Sequence, residues 1–133
     1  MEDPEKQLPA DILQRADARH GELAWRPSDI PAVIEAARRA NLVSLGGDLQ
    51  IRAPSGKWGE PVGFGIDTAR VSKTLPWDMQ VEESAKAALV DFQALQDKFD
   101  FEAIAAESFP ALVAEVHDAS EVIFFGWWVQ SRS

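Results

Sequence analysis

The stretch Glu121 to Gln130, EVIFFGWWVQ, constrains the fold more than any other part of the chain. Read as a strand, it places Val122, Phe124 and Trp128 on one face and Ile123, Phe125, Trp127 and Val129 on the other. Side chains alternate along a strand, so both faces are apolar. Only a central or covered strand has that profile. Trp127 and Trp128 point oppositely and cannot share one helix layer. One of them needs a second cover, from internal packing with the N-terminal helix, from a homodimer partner through this C-terminal strand, or from a ligand.

The rest of the chain supplies partners for such a strand. From Leu42 to Ala53 the period is two, with Val43, Leu45, Gly47, Leu49, Ile51 and Ala53 facing one way and Ser44, Gly46, Asp48, Gln50 and Arg52 the other. Pro54 to Lys57 is a turn, after which Trp58, Val62, Phe64 and Ile66 can return as a hairpin strand. Pro61 marks an edge or an irregularity in it. Helical spacing appears in Ile30, Val33, Ile34 and Ala37, with Ser28 as the N-cap, Pro31 in the first turn and Asn41 as the stop. The longest helix carries Val81, Ala85, Ala88, Phe92, Leu95 and Phe99. A further helical stretch runs from about 100 to 116, restarted at Pro110, and a short helix spans Pro9 to Arg19 until His20-Gly21 stops it. Residues 1–8 are expected as a flexible arm and 67–78 as a loop carrying Trp77. The expected architecture is one α+β domain over 1–133, a small mainly antiparallel sheet (hairpin plus C-terminal strand) packed against several helices.

At 133 residues, 46% of them hydrophobic, the chain can bury one core without staples. It has no cysteine, which excludes disulfides, thiolate nucleophiles and cysteine-ligated metals. The acidic N-terminus lacks the apolar core of a signal peptide, and no run approaches the roughly 20 apolar residues of a membrane span. A cytoplasmic protein is expected.

The formal charge of −9 is unevenly divided. Residues 1–77 hold 11 acids against 10 bases, whereas 78–121 hold 11 acids against only Lys86 and Lys98. Such a field repels phosphate backbones and anionic lipids, so neither nucleic acid nor membrane is an expected partner. A basic protein would be attracted. The acids Glu82, Glu83, Asp91, Asp97 and Asp100 are the partner-binding candidates, with solubility alone as the competing role.

Signals for chemistry are weak. Gly63-Phe64-Gly65 begins like a dinucleotide fingerprint, but Thr68 stands where the third glycine belongs. Gly46-Gly47-Asp48 has no phosphate-loop lysine after it; close packing within a strand explains it better. His20 and His117 match no metal-ligand spacing, and no nucleophile elbow occurs. An enzyme built on Asp48, Asp67 or His117 is disfavoured, and neither a metal nor a cofactor is expected. A small-molecule pocket lined by Trp58, Trp77, Trp127 or Trp128 is the alternative to protein binding.

The helix IPAVIEAARRA, the strand LVSLGGDLQI with its GGD, Trp77 after a loop, and Ser84-Ala85 with Ala88 in a helix ending near Phe92 together resemble the immunity protein 40 type of bacterial polymorphic-toxin immunity proteins. The resemblance covers roughly half of the chain. It implies a non-catalytic protein that binds and blocks a cognate toxin.

Overall fold

The computed structural model describes residues 3–132. Six strands form one antiparallel sheet: β1 (Asp17–Arg19), β2 (Glu22–Trp25), β3 (Val43–Arg52), β4 (Trp58–Gly59), β5 (Gly65–Asp67) and β6 (Ile123–Gln130). Their order is β1-β2-β6-β3-β4, with β5 beside β4 on the outer side of β3. Five helices accompany them: α1 (Ala10–Arg15), α2 (Ile30–Arg39), α3 (Trp77–Lys98), α4 (Phe101–Ser108) and α5 (Pro110–Val113). The fold is α+β.

The apolar C-terminal strand is central. It pairs with β2 through Ala24↔Gly126 and with β3 along eight positions, from Val43↔Gln130 to Ile51↔Ile123. Its Ile123, Phe125, Trp127 and Val129 point at α2 and α3, where Val33, Ile34, Ala37, Ala85, Ala88 and Phe92 complete the core. Alanines on both helices let them settle close to the sheet. Phe125, fully buried, meets the Phe92 ring edge-on at 5.1 Å and the Phe101 ring at 5.7 Å. Because β6 is paired on both sides, edge-to-edge dimerisation through it is closed over the paired positions.

Several elements differ from the sequence reading. The helix expected over 9–19 ends at Arg15, and Asp17–Arg19 pairs with β2 as a hairpin. His20 and Gly21 at its tip have φ of 53° and 79°, the left-handed pair that a tight hairpin turn requires. Of the expected flexible arm, Pro4–Gln7 form a 3-10 turn and Leu8 is buried in the core; residues 1 and 2 lie outside the described residues. At α2 the N-cap position is Asp29, preceded by a 3-10 turn, so Ser28 does not cap it. The returning strand is broken into β4 and β5 around Pro61, leaving Val62 97% exposed. Trp77 opens α3 instead of lying on the preceding loop.

The strict alternation expected along β3 fails at one place. A bulge between Ser44 and Gly46 turns Leu45 outward, 40% exposed, and Ser44 inward, 1% exposed. Ser44 then joins three elements: its N–H donates to Ser84 Oγ of α3 at 3.1 Å, its carbonyl accepts from Thr68 Oγ1 at 2.6 Å, and its Oγ accepts from Trp127 Nε1 at 3.4 Å. Beyond the bulge the alternation resumes, so Leu49 and Ile51 face the core while Asp48, Gln50 and Arg52 face the side without helices.

Candidate functional site

The acids of α3 divide into two groups. Between its start and Asp91, Glu82 accepts from Arg38 Nη1 at 3.0 Å, Glu83 lies 3.7 Å from Lys86, and Asp91 takes both terminal nitrogens of Arg70. Three of the five predicted partner-binding acids are thus occupied by the protein's own cations. Glu35 of α2 receives Arg38 and Arg39 as well; the Arg38 hydrogen bonds are the main reason its pKa falls to about 2. This part of the surface is an internal ion-pair network between α2, α3 and the 68–76 loop.

The last turn of α3 and its junction with α4 are different. Asp97 is exposed and makes no ion pair among the described residues. Asp100 caps α4, its Oδ1 accepting from Ala103 N at 3.2 Å, and keeps its charge at the surface. Asp100, Glu102 and Glu121 rim a groove of about 650 Å³ where the end of α3, α4 and the start of β6 converge, with Phe99 half-buried in its floor and Phe101 and Ile123 buried beneath it. Two bases stand nearby, and both are engaged. Arg26 donates to the Ser120 carbonyl at 2.8 Å and stacks 4.3 Å above the Phe124 ring, and the Lys98 ammonium lies 5.2 Å from the Phe99 ring. The rim stays net acidic. Asp118 and Glu121 form a capping box at the turn Ala119–Val122, which holds this end of the groove; the backbone and side-chain hydrogen bonds of Ser120 lower the pKa of Asp118.

The four tryptophan candidates do not share a pocket. Trp127 is 1% exposed, in the core over Gly47. Trp77 is tied by Nε1 to the Asn41 carbonyl at 2.9 Å, linking α3 to the end of α2. Trp58 covers the Arg52 guanidinium at 4.7 Å. Trp128 is half-buried beside a groove of about 470 Å³ that also holds Asp48 and Asp67 and reaches Gln80 of α3, and with the edge of Trp127 it lines a second groove of about 460 Å³ against Leu13 and Leu23. His117 follows α5, is exposed and does not line the first groove, so the three residues of the enzyme reading are not assembled. Among the described residues no three His, Asp or Glu side chains gather as a metal set. Among the described residues no helix is long and apolar enough to cross a membrane.

One polar cluster has no counterpart in the sequence reading. Arg52 and Gln50, both buried, lie on the helix-free face; Arg52 Nε donates to Gln50 Oε1 at 2.9 Å, and Gln50 Nε2 donates to Glu60 Oε1 at 3.1 Å. Arg52 Nη1 reaches Asp17 Oδ2 at 3.0 Å and the Asp17 carbonyl at 2.8 Å, stitching β3 to the β1–β2 hairpin. Burial, with the charges of Asp48 and Glu22, raises the pKa of Glu60. The visible signal was the polar side of an otherwise regular strand, which reads as solvent-facing when no cover is known. Comparison with protein-family models, with curated proteins and with solved structures finds no match.

Proposed function

We propose that this chain is a non-catalytic protein-interaction module that captures a basic protein partner, in the manner of an immunity protein neutralising a toxin, and that the partner seats at the α3–α4 junction. The observation that carries this reading is the groove of Phe99, Phe101 and Ile123 with Asp100, Glu102 and Glu121 on its rim and Asp97 beside it. The half-buried Phe99 gives apolar area to cover, and a rim that is net acidic despite Arg26 steers an oppositely charged surface to it. The five acids expected from the sequence therefore narrow to Asp97 and Asp100, joined by Glu102 and Glu121. The resemblance of residues 30–92 to immunity proteins points to the same class of partner.

The test is capture of a basic partner, co-expression with it to measure relief of its toxicity, and hydrogen exchange on the complex. Relief of toxicity with new protection over 97–104 and 120–123 supports the reading. Protection confined to residues 77–91 of α3, or a partner whose toxicity is unchanged, rejects it.

A further inference from the structure

The helix-free face carries a socket that the partner groove does not use. Three strands place two rows of residues side by side there: Asp67 of β5, Gly46 of β3 and Trp128 of β6 in one, and Gly65, Asp48 and Gly126 in the next. Side chains and glycines alternate, so Asp67, Trp128 and Asp48 surround the bare backbone of Gly46. The pattern is held by packing. A Cβ on Gly65 would strike the Asp48 carboxylate, and one on Gly126 would come within 3.2 Å of the Trp128 ring. Gly46 itself has φ of 139°, and any side chain there would run into the β5 backbone at Ile66.

The chemistry around this gap is that of a cation site. Diagonal neighbours on paired strands are about 7–8 Å apart, which spaces the two carboxylates to flank one small head group. Among the described residues neither Asp48 nor Asp67 has an ion-pair partner; Asp67 spends one oxygen on the Ala69 N–H at 2.7 Å and keeps the other. The indole of Trp128 supplies the aromatic wall on which organic cations rest. Lys73 is the one base among the lining residues, exposed at the rim. At about 470 Å³ the groove has the size of a small-molecule site.

We propose that this socket binds an organic cation, a primary ammonium or guanidinium head held between Asp48 and Asp67 with its adjoining carbons against Trp128. The same head group can arrive on a free small molecule or on an arginine side chain of a bound protein. The experiment is an amide NMR titration with agmatine and benzylammonium as free cations, a capped Gly-Arg-Gly peptide as the side-chain form, and benzoate and benzyl alcohol as controls. Saturable shifts at the Gly46, Gly47 and Asp67 amides, with a Kd at or below about 1 mM for a cation, support the socket; the tighter of agmatine and peptide identifies the source. Asp48→Asn, nearly isosteric, should raise that Kd about tenfold, as expected for losing one charge-assisted hydrogen bond. Glu83→Gln and Asp97→Asn on α3 should leave it unchanged, which separates this site from the partner groove. Absence of saturable shifts at those amides up to about 10 mM, an equal response to benzoate or benzyl alcohol, or a Kd indifferent to Asp48→Asn would overturn it.

Discussion

Replacing Arg52 separates the worth of a buried charge from the worth of its packing. Its side chain is 0% exposed, its Nε and Nη1 donate to Gln50 and Asp17, and its Nη2 has no partner among the described residues. Arg52→Ala leaves the Gln50 carbonyl oxygen unpaired under Trp58 and empties the space between β3 and the β1–β2 hairpin. Breaking a buried pair from one side costs about 3–5 kcal/mol. Asp17 retains Arg19 at 2.9 Å, which puts the expectation at the lower end, about 3 kcal/mol. Arg52→Met refills most of the space but still leaves the Gln50 and Asp17 acceptors without their donor, so it restores only the packing and costs about 1–2 kcal/mol. Against a total stability of about 5–15 kcal/mol the first substitution is severe and the second mild. Urea unfolding followed by tryptophan fluorescence gives both, with an unchanged m-value as the check on two-state behaviour. If Arg52→Ala lies within about 1 kcal/mol of the parent, or Arg52→Met is the worse of the two, the account of this network is wrong.

Gly47→Ala should destabilise by about 3 kcal/mol, the upper end for overpacking, because its Cβ would meet the Gly126 carbonyl oxygen and sit 2.6 Å from a Trp127 ring carbon between the two central strands; thermal unfolding measures it, and an unchanged Tm would contradict the packing. Asp100→Ala should cost about 1 kcal/mol through loss of the α4 cap while Asp100→Asn costs a few tenths, a difference read by denaturant titration. The raised pKa of Glu60 means the folded chain holds its proton more tightly than the unfolded one. Stability therefore falls as pH rises from the ordinary carboxylate range through that raised value, and Glu60→Gln should flatten this part of the profile. Glu35 has the opposite sign: its pKa of about 2 gives a stabilisation present above 4.5 and lost as pH falls from 4.5 to 2, which Glu35→Gln should remove from an acid-unfolding curve.

Periodicity alone made the core legible. The two-faced apolar pattern of residues 122–129 required a central strand, and β6 lies between β2 and β3. Alternation in β3, the stripe on α3 and the restart at Pro110 are local patterns, and they appear in the structure at nearly the expected residues. What escaped depends on tertiary context. The β1–β2 hairpin rests on two consecutive left-handed residues, His20 and Gly21, and a histidine there reads as readily as the end of a helix. The bulge at Leu45 exchanges the faces of Val43 to Leu45 and cannot be seen in a pattern that continues to alternate. For the site, the charge division located the acids but not their partners. Arg38 and Arg70 lie 44 and 21 residues away in sequence from the acids they pair with, and they engage Glu82 and Asp91 of α3. Asp97 and Asp100 are exposed and have no ion-pair partner among the described residues.

The central claim is that a basic partner is steered to the acidic rim at the α3–α4 junction, and the association rate constant with that partner as a function of salt tests it most directly. For the parent chain it should fall steeply with ionic strength. The combined Asp97→Asn, Asp100→Asn and Glu102→Gln variant, which keeps the α4 cap, should associate at least about tenfold more slowly at low salt with a nearly flat salt dependence. An unchanged rate and an unchanged salt slope in that variant would contradict the account.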